Sequence, residues 1–278
     1  MRLDAAIADA VERLSPITDT ARLDAEILLC QTIDMPRSYL FAHPEDELDG
    51  LSRARFETLL MRRLQGEPMS YITGTREFWS HELLVSPATL VPRPETELLV
   101  ELALREIPRT AEWDVLDLGT GSGAIAISIA AERPLCSITA TDASADALAI
   151  ARQNVRQADL ANVTCLSGNW TEPVADKQFT IIVSNPPYVR EDDEALSNLR
   201  FEPLSALASG KDGLDDIRIL AAHCMPLLTN DGWLMMEHGA EQKDAVAAVL
   251  EEAGWRDITC HNDLAGLPRV TAARRDVK

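Results

Sequence analysis

The chain has 278 residues, a length that suits one large domain or two modest ones. Hydrophobic residues make up 46% of it, which is enough for a normal packed core. The formal net charge of -19 favours solubility and argues against a broad electrostatic contact with nucleic acid.

The first part of the chain is predicted to be a small helical bundle, which we place at residues 1–75. Its first helix carries Leu3, Ile7 and Leu14 on one face, as the helical period requires. Ser15-Pro16 ends this helix, because the residue before a proline is pushed away from helical geometry.

Three more helices are predicted in this part. They cover residues 21–33, 37–42 and 50–65. The helix over 21–33 has Leu23, Ile27 and Leu28 as its apolar set. Gly66-Glu67-Pro68 then closes the bundle, since glycine and proline interrupt helices.

Residues 69–93 have a different pattern, in which apolar residues such as Tyr71, Ile72 and Phe78 alternate with glycine and polar residues. Such alternation is typical of a β-hairpin. We therefore predict a hairpin linker, placed at residues 76–93, between the helical bundle and a separate domain.

Residues 94–278 are predicted to form an α/β domain. Pro94 lies near the first position of a helix over 95–106, and strands alternate with helices from residue 113 onward. Strands are predicted at 113–118, 137–142, 162–167, 179–184, 232–237, 257–261 and 268–274, and helices at 123–132, 144–157, 214–228 and 241–253. This order predicts a doubly wound, mostly parallel seven-stranded sheet.

A glycine-rich loop follows the first strand of this domain. It reads Asp117-Leu118-Gly119-Thr120-Gly121-Ser122-Gly123. Its G-x-G-x-G spacing differs from the G-x-G-x-x-G of dinucleotide sites. An acid, Asp142, ends the next strand, where a carboxylate can accept both hydroxyls of a ribose. Trp170 follows the third strand, at the position for a contact with adenine.

We predict that these residues bind S-adenosylmethionine, which has a ribose and an adenine but no phosphate. Asp117 precedes the glycines, where it can meet the cationic methionine moiety directly or through water. The structural alternative makes Asp117 a turn cap, Asp142 a neighbour of a helix N-cap and Trp170 a core aromatic. NAD is the rival cofactor, which the glycine spacing disfavours.

A stiff corner, Asn185-Pro186-Pro187-Tyr188, follows the apolar run Phe179–Ser184 and so lies at the carboxyl end of a strand. Ligands bind at such ends in open α/β sheets. Because prolines fix φ and lack an N–H, the corner presents acceptors beside an aromatic ring. This arrangement suits a planar –NH2 group, although a rigid turn with an aromatic plug is the structural alternative.

Other residue classes point to no further site. The five cysteines form no C-x-x-C pair, and the five histidines lack metal-ligand spacing, so we predict no metal. Residues 1–15 carry charges and no apolar signal core, and the longest uncharged stretch, Leu118–Ala131, is too short to span a membrane. We therefore expect a cytoplasmic protein without membrane contact.

With these motifs, the chain resembles the class I S-adenosylmethionine methyltransferases that carry N-P-P-Y. It more closely resembles the protein-(glutamine-N5) methyltransferases of bacterial peptide chain release factors, the PrmC/HemK family. The segments that carry the resemblance are Asp24–Leu29, Gly66–Pro68, Gly74–Trp79, Val85–Glu97, Asp117–Gly123, Val183–Tyr188, Arg200–Pro203 and Glu237–Gly239. N-P-P-Y alone is shared with several amino-group methyltransferases, and the helical part and hairpin segments narrow the match.

The resemblance implies a Rossmann-like fold and a reaction. Methyl would pass from S-adenosylmethionine to the side-chain N5 of the glutamine in the Gly-Gly-Gln motif of release factors, modulating translation termination. It implies that Gly119 to Gly123, Asp142, Trp170 and Asn185 contact the cofactor. It also implies that Asn185 to Tyr188 hold the glutamine amide and that the helical domain helps to dock the release factor.

We hypothesise that the Asn185 side-chain oxygen and the Pro186 carbonyl each accept one amide N–H, while Tyr188 packs against the amide plane. Two alternatives remain open: methylation of nucleic-acid bases in rRNA or DNA, and a protein that binds cofactor and partner without catalysis. The acidic charge weighs against the first, which would need direct nucleic-acid binding, and the intact cofactor motifs weigh against the second. We expect a monomer.

Overall fold

The computed structural model describes residues 1–275. The chain divides into two compact units, Met1–Thr75 and the remainder from Arg76 onward. None of the helices in the described residues combines the length and the apolar content that a membrane crossing requires.

The first unit is a bundle of five helices within the described residues. They are α1 Leu3–Leu14, α2 Ala21–Ile33, α3 Arg37–Ala42, α4 Gly50–Leu64 and α5 Met69–Thr73. The predicted helices over residues 21–33 and 37–42 have these same bounds in the structure. The fifth helix was not predicted.

The prediction of β-structure from residue 69 is wrong for its first residues. Tyr71 and Ile72 lie in α5 and are buried there. Pro68 stands at the N-cap of this short helix, and Gly74 ends it in the left-handed conformation at φ 80°. These two residues outweigh the alternation of apolar and polar side chains between them.

The apolar set predicted for α2 is partly wrong. Leu28 is buried, but Leu23 is 40% exposed. The buried face instead includes Ala25 and two carboxylates, Asp24 and Glu26. Both carboxylates can be buried because arginines neutralise them. The spacing of apolar residues in the sequence does not reveal a buried face of this kind.

A β-hairpin opens the remainder of the chain. Its strands are β1 Thr75–Phe78 and β2 His81–Leu84, joined by Trp79 and Ser80. Both connecting residues have positive φ, 50° and 62°, which is the geometry of a two-residue hairpin turn of type I′. The hairpin is therefore shorter than the predicted linker, and residues 85–93 follow it as a loop.

The α/β unit contains all seven predicted strands and the helices between them. In chain order the elements are α6 Glu97–Glu106, β3 Asp114–Leu118, α7 Ala124–Glu132, β4 Ser137–Asp142, α8 Ala145–Gln157, β5 Val163–Ser167, β6 Phe179–Ser184, α9 Ala195–Asn198, α10 Asp215–His223, β7 Leu228–Glu237, α11 Lys243–Glu252, β8 Arg256–Asn262 and β9 Pro268–Arg274. The predicted helix over 214–228 ends early, because Pro226 lies in a 3-10 turn over Met225–Leu227.

The sheet has the order β5-β4-β3-β6-β7-β9-β8. The first five of these strands are parallel, and β9 pairs antiparallel with both β7 and β8. The predicted doubly wound, mostly parallel seven-stranded sheet is thus confirmed. From β3 the chain adds β4 and then β5 on one side of the sheet, and it then adds β6 and β7 on the other side of β3. The direction of winding therefore switches between the neighbouring strands β3 and β6. In such sheets ligands bind at the carboxyl ends next to the switch.

Candidate active site at the carboxyl ends of the strands

A cavity of about 390 Å³ lies at the carboxyl ends of the parallel strands, next to the switch point. Its volume falls in the range of roughly 300–1,000 Å³ that small-molecule sites occupy. The walls come from the loops that follow β3, β4, β5 and β6 and from the loop that precedes α6. Every residue that lines the cavity lies in the α/β unit.

The glycine-rich loop forms one wall and is folded tightly back on the neighbouring strand. The amides of Gly119 and Thr120 both donate to the Thr141 carbonyl at 2.9 Å. Gly119 has φ 72°, and a side chain there would begin 3.2 Å from the Trp170 ring. Gly121 also has positive φ, but a side chain there would meet open space. The loop thus presents bare backbone for close approach of a ligand.

Asp142 is held firmly beside this loop. Its Oδ2 accepts from the Gly121 amide at 2.9 Å, and its Oδ1 accepts from the Ser144 amide at 2.8 Å. Ser144 is in turn the N-cap of α8 and accepts from the Ala147 amide. A carboxylate has about four acceptor positions, so Asp142 can still accept from two hydroxyl groups in the cavity that it lines.

Asp117 lies beneath the glycine loop and is fully buried. Its Oδ2 accepts from the Thr120 hydroxyl at 2.6 Å, while its Oδ1 has no hydrogen-bond partner among residues 1–275. Burial raises the pKa of Asp117 to about 7, although the Thr120 hydroxyl opposes this change. Asp117 does not line the cavity, so it faces a ligand only through the loop.

Asn185 lines the cavity too, directly after β6. Its Nδ2 donates to the hydroxyl oxygen of Thr96 at 3.1 Å. Thr96 ends the 3-10 turn Pro94–Thr96, is 4% exposed and lines the cavity too. Because the nitrogen end of the amide is engaged, the Oδ1 of Asn185 is the end available as an acceptor.

Tyr188 is anchored away from the cavity. Its hydroxyl donates to Glu237 Oε1 at 3.2 Å, and its carbonyl accepts from Gln242 Nε2 at 3.0 Å. Burial raises the pKa of Tyr188, so the phenol stays neutral and remains a donor. Neither Tyr188 nor the buried Pro186 is among the residues that line the cavity.

The loop before α6 is tied to the segment after β6. Glu202, which is 7% exposed, accepts from the Val91 amide at 3.0 Å and forms an ion pair with Arg93. Arg93 and Pro203 both line the cavity. The end of the predicted linker therefore supplies a wall of the site in addition to connecting elements.

Most of the predicted site residues meet at this cavity. Those that line it are Gly119, Thr120, Gly121, Ser122, Asp142, Trp170, Asn185 and Pro187, and those that do not are Asp117, Gly123, Pro186 and Tyr188. Residue-based reasoning missed Thr96, Arg93 and Asp216, which also line it. Thr96 and Arg93 lie within Val85–Glu97, a segment that carried the family resemblance. That resemblance was the one indication in the sequence that these two residues belong to the site.

Two histidines outside the cavity have other surroundings. His238 is fully buried, and its ring nitrogens lie 2.9 Å from the Gly239 carbonyl and 2.8 Å from the Thr271 hydroxyl, as expected of a structural histidine. His43 is exposed, with its ring nitrogen within 4.8 Å of carboxylate oxygens of Glu45 and Asp46. Exposed groups of this kind are common without an ion, and the absence of a metal stays a prediction.

Comparisons with known proteins agree with this architecture. Two family models match the chain: the PrmC N-terminal domain over residues 5–74 and the methyltransferase small domain over residues 95–203. A release factor glutamine methyltransferase of Coxiella burnetii is 43% identical over 95% of this chain and 95% of its own length. Another, of Vibrio cholerae, is 45% identical over 97% of this chain and 95% of its own length.

A solved structure shares the fold at much lower identity. It is a 16S rRNA N2 methyltransferase of T. thermophilus in complex with AdoMet and guanosine, with a TM-score of 0.53 and 16% identity. The similarity covers 73% of this chain and 50% of that chain. At this level of identity the likeness concerns the fold alone.

Proposed function

The chain belongs to the family of release factor glutamine methyltransferases, and from this premise we propose how its site performs the reaction. It is an S-adenosylmethionine-dependent enzyme that methylates the side-chain amide nitrogen of a glutamine. We place that glutamine in the Gly-Gly-Gln motif of peptide chain release factors. The observation that carries this assignment is Asn185, whose amide nitrogen is held by Thr96 while its oxygen is left for a substrate.

The cofactor side of the cavity is the wall formed by the glycine loop and Asp142. Asp142 would accept the two ribose hydroxyls, and the bare backbone at Gly121 leaves room for the bound molecule. Trp170, packed against Gly119, would contact the adenine. When bound, S-adenosylmethionine supplies a methyl group on a positively charged sulfur. The donors and acceptors present fit such a molecule.

Asp117 would act at longer range. It is too deeply buried to touch a ligand directly. Burial raises its pKa to about 7, so the carboxyl group keeps its proton up to about neutral pH. A nearby positive charge favours the ionised form of a carboxylate and lowers its pKa. We therefore propose that Asp117 supports the cationic cofactor through the field beneath the loop, with Thr120 orienting the carboxylate.

On the substrate side, we propose that Asn185 Oδ1 accepts one N–H of the glutamine amide and that the Pro186 carbonyl accepts the other, although Pro186 itself does not line the cavity. Two acceptors on one nitrogen orient its lone pair toward the methyl group and favour the partly positive nitrogen that develops. The fixed dipoles of these two acceptors then position the amide nitrogen for methyl transfer. The N-methylated nitrogen gives its proton to water, so no general base is required.

Pro187 and Tyr188 complete the substrate contacts that we propose. Pro187 lines the cavity and would limit how far the amide can turn. Tyr188 would pack against the amide plane, and its hydrogen bond to Glu237 limits rotation of its ring. Within the described residues Tyr188 does not reach the cavity wall, so its contact with substrate stays a prediction.

The experiment that tests this function is methylation in vitro. Purified protein is incubated with labelled S-adenosylmethionine and unmethylated release factor, and the products are analysed by peptide mass spectrometry. One added methyl on the glutamine of the Gly-Gly-Gln motif is expected. No label there, with cofactor binding intact in calorimetry, would contradict the assignment. Bulk rRNA and DNA, included as parallel substrates, would then reveal base methylation.

Domain roles and the working state are also part of the proposal. We propose that residues 1–75 dock the release factor, that residues 76–93 link the domains and that residues 94–278 form the methyltransferase domain. A cytoplasmic monomer without direct nucleic-acid binding stays a prediction from composition. Light scattering on the purified protein measures the oligomeric state, and a gel-shift series with RNA and DNA measures the binding.

A further inference from the structure

A buried asparagine connects the glycine loop to the β-hairpin. Asn154 lies in α8, is 1% exposed and does not line the cavity. Its Nδ2 donates to the Ser122 carbonyl at 2.8 Å and to the Leu84 carbonyl at 3.0 Å. Its Oδ1 accepts from the Leu84 amide at 2.8 Å. Ser122 lines the cavity and Leu84 ends β2, so one side chain joins a wall of the cavity to the hairpin.

The Ser122 carbonyl lies where the backbone of the loop is least restricted. Gly121 precedes Ser122 with φ 56°, and Gly123 follows it with φ 87°. Because glycine adopts positive and negative φ about equally well, these two residues do not fix the peptide groups between them. The peptide group that joins Ser122 to Gly123 is held at both of its polar atoms. Its carbonyl accepts from Asn154, and its amide donates to the Thr120 carbonyl, each at 2.8 Å.

Helix α8 contacts the same turn at a second point. A side chain at Gly123 would begin 3.4 Å from the Cβ of Ala151, which lies one turn before Asn154 in α8. The sequence placed Gly123 in the cofactor site, but the residue does not line the cavity. Its lack of a side chain instead lets α8 approach the loop closely, and this approach brings Asn154 to Ser122.

The hairpin is held at its turn and at its end. The Trp79 amide, in the turn, donates to Glu97 Oε1 at the start of α6, at 3.1 Å. Leu84, at the end of β2, uses both its amide and its carbonyl to bond to Asn154. A two-stranded hairpin is marginally stable by itself, so such contacts give it a fixed place on the α/β unit.

An asparagine suits this position because its amide offers two donors and an acceptor in one plane. Building on the proposed function, we propose that Asn154 is a positioning residue for cofactor binding. It holds Ser122, and with it the glycine loop, in the conformation that receives S-adenosylmethionine, and the hairpin strand β2 holds Asn154 in turn. A loop that is already ordered raises affinity, because no binding energy is lost in ordering it.

Calorimetric affinity for S-adenosylmethionine is the first test. Asn154→Asp keeps the size of the side chain and the acceptor for Leu84 but loses both donors, and Asn154→Ala removes all three hydrogen bonds. Each variant should bind S-adenosylmethionine at least about tenfold more weakly than wild type, because binding must then order the loop. Wild-type affinity in both variants would overturn the positioning role.

The matched control is another asparagine that donates to backbone carbonyls. Asn162 donates to the Cys136 carbonyl at 3.0 Å, at the amino ends of β4 and β5 and away from the glycine loop. Asn162→Ala should lower the thermal stability of the protein but leave the affinity for S-adenosylmethionine within about twofold of wild type. If Asn162→Ala weakens binding as much as Asn154→Ala, the effect is one of general stability, and the positioning role is wrong.

Hydrogen exchange of the hairpin is the second test, and it requires only the wild type. No residue of β1 or β2 is among those that line the cavity. Saturation with S-adenosylmethionine should nevertheless slow exchange of the Leu84 amide at least about threefold, because that amide bonds to the side chain that holds the loop. Asn154→Ala should abolish this slowing, and Asn162→Ala should keep it. Unchanged exchange in the saturated wild type would overturn the role, including where the Asn154 variants do not fold.

Wild-type binding and methylation separate this role from the assignment of the reaction. A wild type that does not bind S-adenosylmethionine overturns the proposed function together with this role. Binding without methylation of the glutamine overturns the proposed substrate, and the affinity and exchange tests then still decide the role of Asn154. Wild-type methylation with unchanged cofactor affinity in the Asn154 variants overturns this role alone.

Discussion

The helical unit and the strand ends of the α/β unit both bury carboxylates, but they treat them differently. In the helical unit, Asp24 is paired with Arg63 at 2.7 Å. Glu26 is paired with two arginines, Arg22 at 3.0 Å and Arg37 at 2.5 Å. These acids are neutralised by partners from the same helix and from its neighbours in the bundle.

At the strand ends, the buried carboxylates meet hydroxyl groups. Asp117 accepts from Thr120 and Glu237 accepts from Tyr188, and each keeps one oxygen without a hydrogen-bond partner in residues 1–275. Burial raises the pKa of both acids, to about 7 for Asp117. An arginine offsets the loss of water around a carboxylate, whereas one hydroxyl offsets only part of it. Incompletely compensated acids of this kind cluster at functional sites.

The largest effect is expected where the strand-end region meets the substrate. Asn185→Ala removes the proposed acceptor and should lower kcat by at least about a hundredfold, the loss that follows removal of one fixed transition-state dipole. Binding of S-adenosylmethionine, measured by calorimetry, should persist. Asn185→Asp keeps an oxygen but adds charge and should also be strongly impaired. Near-normal turnover of Asn185→Ala would mean that the corner does not orient the amide.

The next effect concerns the paired acids. Arg63→Ala leaves the buried Asp24 without its counter-charge and should destabilise the helical unit by about 3 kcal/mol. Hydrogen exchange of the α2 amides measures this change within the unit. Arg53→Ala, an exposed arginine on the same helix as Arg63, is the matched control. Equal exchange rates in the two variants would show that the ion pair is not what permits Asp24 to be buried.

The buried carboxylates at the strand ends predict that the stability of the protein depends on pH. The pKa of Asp117 is raised from 3.8 to about 7, so the folded state keeps a proton that the unfolded state has lost between these values. The stabilisation from this proton is complete below the lower value and is lost as pH rises through the upper one. Asp117 should therefore make the ligand-free protein less stable at pH 8 than at pH 6, by on the order of 1 kcal/mol.

Asp117→Asn isolates this contribution. The difference in unfolding free energy between wild type and variant, measured by urea denaturation at both pH values, removes contributions from other titrating groups. The wild type should gain relative to the variant on going from pH 8 to pH 6. A difference that is the same at both pH values would show that Asp117 does not titrate in this range.

The smallest effect is expected at Glu26. The counter-charges of this buried acid are themselves well solvated, with Arg22 71% and Arg37 50% exposed. Glu26→Gln keeps hydrogen bonding to them and should change the unfolding free energy by about 1 kcal/mol or less. Thermal denaturation provides the measurement. A loss as large as that of Arg63→Ala would place the two arginines of Glu26 among the strong pairs of the unit.

Local sequence predicted the parts of the site that depend on neighbours in the chain. Apolar runs in the sequence predict the strands that precede the functional residues. These residues are Gly119, Gly121, Asp142 and Asn185. Partners from distant segments were not predictable in this way. Thr96 and Asn185 are 89 residues apart, and Tyr188 and Glu237 are 49 apart.

The amino-acid sequence by itself determined the seven strands, the glycine loop and the polar residues at the strand ends, because backbone preferences act between residues close in the chain. Tertiary structure alone decided that Asp117 lies beneath the loop and not in the cavity, and that Thr96 engages Asn185. Burial and hydrogen-bond partners depend on which strand ends the sheet order brings together. The strand order brings distant segments of the chain into contact. Their contacts then determine which oxygen of a side chain stays available to a substrate, as Thr96 does for Asn185.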